Sequence, residues 1–220
     1  RHQRMMEAVL NVEALRANLR DDLRQKEALR PLHLEKESTY RADGSATVSQ
    51  GKTTVVTAVY GPKRIPTTNV EFSDKAVISV KISYTNEKDD ATLMEMEYMI
   101  QKLLENVIQR SLFPRTTINV FIQVICDDGS LLAVIMNSVM LALDDSGIPI
   151  NNKFASLCLL VGENGDILPD PTKSEEAKMN KGGATVVFNE GEEILSLRTF
   201  GGMTDDLLER VISMGKELAK

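Results

Sequence analysis

The segment Asp127-Asp128-Gly129-Ser130 stands directly before a long apolar run, in a position where a helix could begin. A helix N-terminus can hold an anion, because its first N–H groups are free and its dipole is positive there. No Arg or Lys occurs from Cys126 through Asn152, so a local cation for a phosphate is missing. The sequence therefore favours Asp128 or Ser130 as a helix cap over a phosphate site at this position.

A second acidic group consists of Asp170-Pro171-Thr172 with Glu175 and Glu176 close behind. Carboxylates this close together can bind Mg²⁺ or act as a general acid and base. Turn chemistry explains the same residues, because Asp-Pro commonly begins a turn and Glu is favoured in the first turn of a helix. The structural interpretation is the stronger one, and the chemical alternative stays open.

The sequence contains few residues that could support other kinds of catalysis or metal binding. His2 and His33 are the only histidines, which disfavours a Ser-His-Asp triad or a histidine-rich metal site, and we predict His33 on a surface strand. Gly51-Lys52-Thr53 resembles the end of a phosphate-binding loop, but Ala46 stands where that motif requires glycine. We therefore predict neither a bound metal nor a phosphate loop.

The composition is typical of a globular intracellular domain. With 42% hydrophobic residues and no apolar run approaching the roughly 20 residues of a membrane span, the sequence predicts a protein that does not enter membranes. The net charge of −6 argues against strong nucleic-acid binding by the isolated chain, so we expect any RNA contact to be local or shared with partner chains. Cys126 and Cys158 lie in apolar strand-like runs, which predicts reduced core thiols.

The order of the predicted elements indicates an α+β domain, in which helices pack against mixed or antiparallel sheets. Runs rich in Val, Ile, Thr and Tyr predict strands at 46–49, 53–60, 76–84, 115–125, 155–161, 166–168, 184–188 and 194–199. We interpret the first three as antiparallel. Helical spacing predicts helices over 93–112, 130–143 and 204–218. The second is apolar nearly all round, so it should be the central buried helix, and Thr204 is the predicted N-cap of the third.

The first part of the chain predicts a helical extension over residues 1–28, in front of a main domain that covers 29–220. From Met5 to Lys26, apolar residues recur at three- and four-residue spacings among charged ones, as in an amphipathic helix. Arg30-Pro31 closes this segment, because proline disfavours helix in the residue before it.

Several short motifs, all in one order, resemble the RNase PH family over about residues 29–220. They are Arg41-Ala42-Asp43-Gly44-Ser45-Ala46, Gln50-Gly51-Lys52-Thr53, Val59-Tyr60-Gly61-Pro62, Phe113-Pro114-Arg115-Thr116, Gln123-Val124, residues 127–133, Asp144-Asp145-Ser146-Gly147-Ile148-Pro149 and Asp170-Pro171-Thr172. The second half of this series closely resembles one branch of the family, the ring subunits of eukaryotic RNA exosomes. The resemblance implies an RNase PH-like fold.

The resemblance also implies that a phosphorolytic site has degenerated in this chain. Active members of the family bind phosphate with a Gly-Thr-Arg element, and the matching positions here are Gly129, Ser130 and Leu131. Leucine offers neither charge nor hydrogen-bond donors to an anion. The two acidic positions of the family are kept as Asp170 and Glu176, which are therefore vestigial catalytic candidates.

A second departure concerns the helix that supplies substrate-binding arginines in active members. At these positions the chain carries Glu97, Gln101, Lys102 and Glu105. Because catalysis of this kind depends on positioned positive charge, the resemblance implies a subunit that is not an enzyme and needs no cofactor.

The function implied is that of a non-catalytic subunit in the hetero-hexameric ring of an RNA exosome, supporting 3′-to-5′ RNA degradation and rRNA processing. Its partners would be other RNase PH-like subunits, single-stranded RNA and associated nucleases, in the nucleus, nucleolus and cytoplasm. The alternative is an active homodimeric nuclease, either phosphorolytic or dependent on Mg²⁺. Candidate RNA contacts, each with solvated or interface charge as the alternative, are Arg110, Arg115, Lys173, Lys178 and Lys181.

Overall fold

The computed structural model describes residues 20, 22–64, 74–84, 90–162, 165–178 and 182–218. The strands are β1 Leu32–Lys36, β2 Gly44–Gln50, β3 Thr53–Arg64, β4 Val77–Tyr84, β5 Thr116–Cys126, β6 Phe154–Val161, β7 Ile167–Pro169, β8 Gly182–Asn189 and β9 Ile194–Gly201. The helices are α1 Asp90–Val107, α2 Leu131–Ser146, α3 Lys173–Lys178 and α4 Asp205–Leu218, and Arg110–Leu112 forms a 3₁₀ turn. This mixed α+β content confirms the predicted fold class.

The strands form two sheets. One sheet has five strands in the order β1-β2-β3-β5-β4, and the other has four in the order β7-β6-β8-β9. All neighbours are antiparallel except β4 and β5, which run parallel from the pair Val77 and Thr117 to the pair Tyr84 and Val124. The prediction of an antiparallel strand over 76–84 is therefore wrong in direction. Helix α1 lies between these two strands in the chain, and such a helical crossover lets consecutive strands pair in parallel.

Helix α2 lies between the two sheets and packs on both. Val134, Ile135, Val139 and Leu143 have no exposed surface, as predicted for the central helix. β2 also approaches the helix closely, because a Cβ on Gly44 would lie 2.4 Å from the carbonyl oxygen of Ala142. Helix α1 packs on the same side of the five-stranded sheet, and α4 covers the far side of the four-stranded sheet through Val211.

Two predicted details differ from the structure. The helix predicted over 93–112 ends at Val107, where Ile108 leaves the helix and forms a β-bridge with Ile150. Cys158 is buried, but Cys126 is exposed, because a bulge between Thr54 and Val55 interrupts the alternation of faces where β5 ends. The thiol predicted in the core at Cys126 is therefore at the surface.

The predicted N-terminal helix lies largely outside the described residues. Its described end, residues 22–26, contains turns and a single bridge residue but no helix. In the described part of the chain, every helix is too short or too polar to cross a membrane. His33 lies on β1, whose residues are all exposed, as predicted.

Candidate functional site at the start of helix α2

A cavity of about 230 Å³ opens beside the first residues of α2. Its walls come from α1, from the loop between β5 and α2, from the start of α2, from α3 and from strands β6, β8 and β9 of the second sheet. The lining includes Asp127, Ser130, Leu131, Glu176 and Arg198. The structure thus brings the two sequence motifs at 127–131 and 170–176 to the same place.

The loop before α2 has an unusual backbone that two residues make possible. Gly129 has φ of +92°, and a Cβ there would lie 2.5 Å from the carbonyl oxygen of Pro171, so only glycine fits. Ser130 occupies the N-cap position in a left-handed conformation, with φ of +55°. Its hydroxyl donates to the carbonyl oxygen of Pro171 at 3.0 Å and makes no cap bond with the helix. Ser130 therefore holds the cap position, but the predicted side-chain cap does not form.

The carboxylate of Glu176 reaches the start of the helix instead. Its Oε1 accepts a hydrogen bond from the backbone N–H of Ser130 at 2.8 Å. A negative charge at this position interacts favourably with the positive end of the helix dipole. An internal carboxylate thus takes the interaction that a helix N-terminus would otherwise offer to an anion from solution.

Leu131 is the first residue of α2 and is only 6% exposed. Its side chain packs in the main core, and it also lines the cavity. The isobutyl group therefore contributes to packing at the place where a cation would be needed to bind phosphate.

Asp170 is completely buried and is bound to Arg30. Oδ2 accepts from the backbone N–H of Arg30 at 2.8 Å and from its Nε at 2.9 Å, and Oδ1 accepts from its Nη2 at 2.6 Å. Burial favours the neutral acid and would raise the pKa of Asp170, but the hydrogen bonds and charge of Arg30 more than compensate and lower the pKa overall. Asp170 is therefore an ionised partner of Arg30, and a poor candidate for a general acid.

Arg30 also connects the two motifs. Its Nη1 donates to the carbonyl oxygen of Asp128 at 2.7 Å, and its Nη2 donates to that of Gly129 at 3.1 Å. The hydroxyl of Thr53 donates to the same Gly129 oxygen at 2.8 Å. One guanidinium therefore binds both the loop before α2 and the carboxylate that follows β7.

A second arginine secures the turn that carries Glu176. Arg20 donates to both carboxylate oxygens of Glu175, at 2.8 and 3.0 Å, and to the carbonyl oxygen of Pro169 at 2.7 Å. Arg24 lies beside the same turn, 3.5 Å from Asp170. Sequence reasoning missed these arginines, because nothing local in the sequence shows that they bind residues more than 140 positions away.

The rim of the cavity is also held by internal pairs. Asp127 accepts from the hydroxyl of Tyr84 at 2.9 Å and pairs with the Nζ of Lys173 at 3.2 Å. Burial of the phenol, helped by the hydrogen bond and charge of Asp127, raises the pKa of Tyr84 to about 12. Arg198 faces the cavity but donates to both carboxylate oxygens of Glu95, at 2.9 and 3.0 Å.

The predicted RNA contacts do not lie together. Lys173 is at the cavity rim, and Lys178 is exposed at the end of α3. Arg115 is exposed at the opposite end of the five-stranded sheet, just before β5, and Arg110 donates to the carbonyl oxygen of Glu105 at 3.1 Å. Lys181 lies outside the described residues.

The α1 residues that replace the arginines of active relatives are engaged with neighbouring groups. Glu97 accepts from the backbone N–H of Ile82 at 2.9 Å and from Lys81 at 3.1 Å. Lys102 and the amide of Gln101 both donate to Glu105. Within the described ranges, the structure contains no group of three or more His, Cys, Asp or Glu side chains placed to hold a metal ion.

Comparison with known proteins gives a consistent result. A model of the 3′ exoribonuclease (RNase PH) family, domain 1, matches residues 28–149. The exosome complex exonuclease RRP46 homolog of Arabidopsis thaliana is 38% identical over 160 residues, which cover 73% of this chain and 66% of that protein. The exosome complex component Rrp41 of Archaeoglobus fulgidus is 30% identical over 90% of this chain and 81% of that protein. The crystal structure of rice (Oryza sativa) Rrp46 superimposes with a TM-score of 0.85 at 31% identity, covering 91% of this chain and 94% of that chain.

Proposed function

Since the chain belongs to the 3′ exoribonuclease family of RNase PH-like proteins, we propose that it is a subunit of an RNA exosome ring and does not itself degrade RNA. The names of its relatives support the assembly, because the Arabidopsis and Archaeoglobus proteins are both named as parts of an exosome complex. In this role the chain scaffolds the ring and helps to guide single-stranded RNA toward associated nucleases.

The observation that carries the proposal is the occupied start of helix α2. Glu176 accepts the hydrogen bond of the Ser130 N–H at 2.8 Å, and Leu131 places aliphatic carbon beside it. An incoming phosphate would meet a carboxylate instead of a guanidinium, and two like charges at this distance repel each other. Phosphorolysis requires that phosphate ion as its nucleophile, so the reaction cannot begin efficiently.

The charged groups in and next to the cavity support the same conclusion. Asp170 is neutralised by Arg30, and Arg198 is held by Glu95, so neither is free to bind a substrate group. The oxygens of Asp170 already accept three hydrogen bonds from Arg30, an arrangement that does not suit a divalent cation. We therefore propose that the subunit works without a metal or other cofactor.

The proposed partners are other RNase PH-like subunits in a hetero-hexameric ring, single-stranded RNA and separate nucleases. The proposed location is the nucleus and nucleolus, where rRNA is processed, together with the cytoplasm. Affinity purification of the full chain, followed by mass spectrometry, would test both the ring partners and the nucleases that accompany them.

The activity test uses the purified chain, a labelled single-stranded RNA and excess inorganic phosphate. We expect no release of nucleoside diphosphates, while an active archaeal exosome in a parallel reaction releases them. Binding of phosphate, followed by ³¹P line broadening, should also be absent. Diphosphate release by the chain, or a phosphate ion bound beside Ser130, would overturn the proposal.

An active nuclease is the second candidate, favoured by one observation, that both acidic positions of the family are kept as Asp170 and Glu176. This reading predicts RNA cleavage by a homodimer, either with phosphate or with Mg²⁺ or Mn²⁺. Glu176→Gln is the discriminating variant, because Asp170→Asn would also disrupt the buried pair with Arg30. Cleavage that disappears in Glu176→Gln, with an unchanged melting temperature, would favour this candidate.

A further inference from the structure

The outer face of the five-stranded sheet is not covered by any helix among the described residues, since α1 and α2 both pack on its inner face. Side chains alternate between the two faces of a strand, so the outer face can be read from the register. Ala58, Phe121 and Lys81 form one row across three strands, as successive partners in β3, β5 and β4. On β2 this row is closed, because Ser45 is only 2% exposed and its hydroxyl accepts from the backbone N–H of Thr39. The face is therefore open across β3, β5 and β4 in this row.

Two aromatic rings lie side by side on this face. Phe121 on β5 is 49% exposed, an unusual exposure for a phenylalanine. The ring of Tyr60 on β3 contacts it edge to face, with centroids 5.7 Å apart and an angle of 72° between the planes. Tyr60 thus fixes the orientation of the Phe121 ring and leaves much of it accessible for stacking.

Two lysines lie beside the aromatic pair, and two arginines lie farther along, at the end of the sheet. The Nζ of Lys63 lies 5.0 Å from the centroid of the Tyr60 ring, and Lys81 lies beside Phe121 in register. In the strand register Arg64 on β3 lies opposite Thr116 on β5, so Arg64 and Arg115 lie at the same end of the sheet. Lys63, Arg64 and Arg115 are exposed, and among the described residues none has a carboxylate within ion-pair distance.

Acidic groups are few in this area. Asp43 accepts the backbone N–H of Gly61 at 2.8 Å, and Glu97 on helix α1 pairs with Lys81 at the β4 edge. At the opposite edge, Glu35 on β1 is exposed and lies beside Thr47 in the register. Most other outward positions of the central strands are small or polar, namely Thr47, Ser49, Thr54, Ser79, Ser83, Thr117, Asn119 and Gln123. The apolar exceptions are Val56, Val77 and Ile125, of which Ile125, at the far end of β5, is 52% exposed. The face is therefore largely polar with one aromatic centre, and it is cationic at the end where β5 begins, while the whole chain carries a net charge of −6.

We propose that this outer face binds single-stranded nucleic acid, with one base stacked on Phe121 and phosphates held by Lys63, Arg64 and Arg115. Exposed aromatic rings beside cations on an open sheet are the usual means of binding single strands without sequence selectivity. A protein partner is the less favoured occupant, because the core of a stable protein interface is depleted of charge and richer in apolar residues.

The proposed surface is separate from the cavity at α2. The cavity lies where β5 ends, at Asp127, whereas the cations lie where β5 begins, and the 11 residues of the strand span roughly 35 Å. Nucleic-acid binding at this face therefore does not depend on whether the cavity is catalytic or whether the chain joins a ring.

The test measures the fluorescence anisotropy of a labelled single-stranded oligouridine on adding the purified full chain, without phosphate and without partner proteins. Phe121→Ala should weaken binding by roughly 5- to 150-fold, the usual effect of removing one stacked base contact. Phe121→Tyr, which keeps the ring, should restore binding to within about threefold. The matched control is Tyr98→Ala, which removes an exposed aromatic ring on α1 that also has a lysine, Lys102, 5.5 Å away.

A deoxyuridine strand of the same length tests whether the ribose matters, since stacking and phosphate contacts alone predict similar affinity for both strands. Photocrosslinking of a bromouridine strand should label the peptide that contains Phe121. Equal binding by Phe121→Ala and wild type, or crosslinks only at the α2 cavity, would overturn the proposal. So would a Phe121→Ala variant that binds RNA normally but loses a copurifying protein. None of these results would affect the proposed lack of phosphorolysis.

Discussion

The arginines at the two ends of the five-stranded sheet differ in burial and in ion pairing. Where β3 begins and β5 ends, the guanidinium of Arg30 is 4% exposed and is fully engaged with Asp170 and backbone carbonyls. Where β3 ends and β5 begins, Arg64 and Arg115 are exposed and have no carboxylate partner among the described residues. The buried arginine stabilises the fold, whereas the exposed arginines are available to bind a polyanion. The role of each arginine is therefore set by its burial and its ion pairing rather than by the net charge of the chain.

The largest expected effect is on the stability of the buried end. Arg30→Met removes the partner of a fully buried carboxylate, which typically costs about 3–5 kcal/mol. The loss should appear as a lower urea midpoint and a lower melting temperature. Arg64→Met is the matched control at the exposed end, where the change should stay within about 0.5 kcal/mol. Equal losses in the two variants would show that the two ends do not differ as described.

The next effect is the pH dependence of the same pair. Arg30 lowers the folded-state pKa of Asp170 below its ordinary value, so the ion pair contributes stability above about pH 4 and loses it as the pH falls further. Wild type should therefore exceed Asp170→Asn in unfolding free energy at pH 7, and this difference should shrink as the pH falls through the lowered pKa of Asp170. A difference that is independent of pH would contradict the ionised state assigned to Asp170.

A smaller effect concerns RNA binding at the exposed end. Each phosphate contact contributes about 0.7 to the slope of log affinity against log salt concentration for single strands. Replacing both Lys63 and Arg64 by Gln should therefore reduce that slope by up to about 1.4. Lys173→Gln is the control, because Lys173 is already paired with Asp127 at the cavity rim. A larger reduction of the salt slope in Lys173→Gln than in the double variant would indicate that RNA binds at the cavity instead.

The smallest expected effect is on the ionisation of Tyr84 at the cavity rim. Burial and Asp127 raise the pKa of Tyr84 to about 12, so the ionisation of Tyr84 should appear as a late step near pH 12 in an ultraviolet titration. Because the folded-state pKa is raised, the neutral phenol contributes stability below about pH 10 and loses it as the pH rises through 12. Asp127→Asn should bring this late step closer to pH 10. An unchanged late step would mean that Asp127 does not interact with the phenol.

Much of the architecture follows from local patterns. The apolar run from Leu131 to Leu143 predicts the central helix, and the alternating segments predict most strands to within a few residues. Pairing direction did not follow, because the strand at 77–84 has the same residue types whether its neighbour is parallel or antiparallel. The surface position of Cys126 was missed for a related reason, since nothing in the local residue types shows that Ile125 is an extra residue that shifts the register between β5 and β3.

The candidate site was predictable in part. The resemblance to the RNase PH family places Gly129 and Leu131 in one site with Asp170 and Glu176, and the structure brings these segments together. The role of Arg30 was not predictable, because its partner lies 140 positions away and its local context, before a proline, indicates only the end of a segment. Long-range ion pairs of this kind are fixed by the fold and leave no periodic pattern.

The long sequence separation between Arg30 and Asp170 also affects how the chain is made. Arg30 is synthesised 140 residues before its partner, Asp170. At about 5–20 residues per second, the arginine waits roughly 7–28 s before it can be neutralised. The start of the chain therefore cannot settle into its final place until most of the domain has been synthesised, and during that interval it is open to chaperones and to proteases.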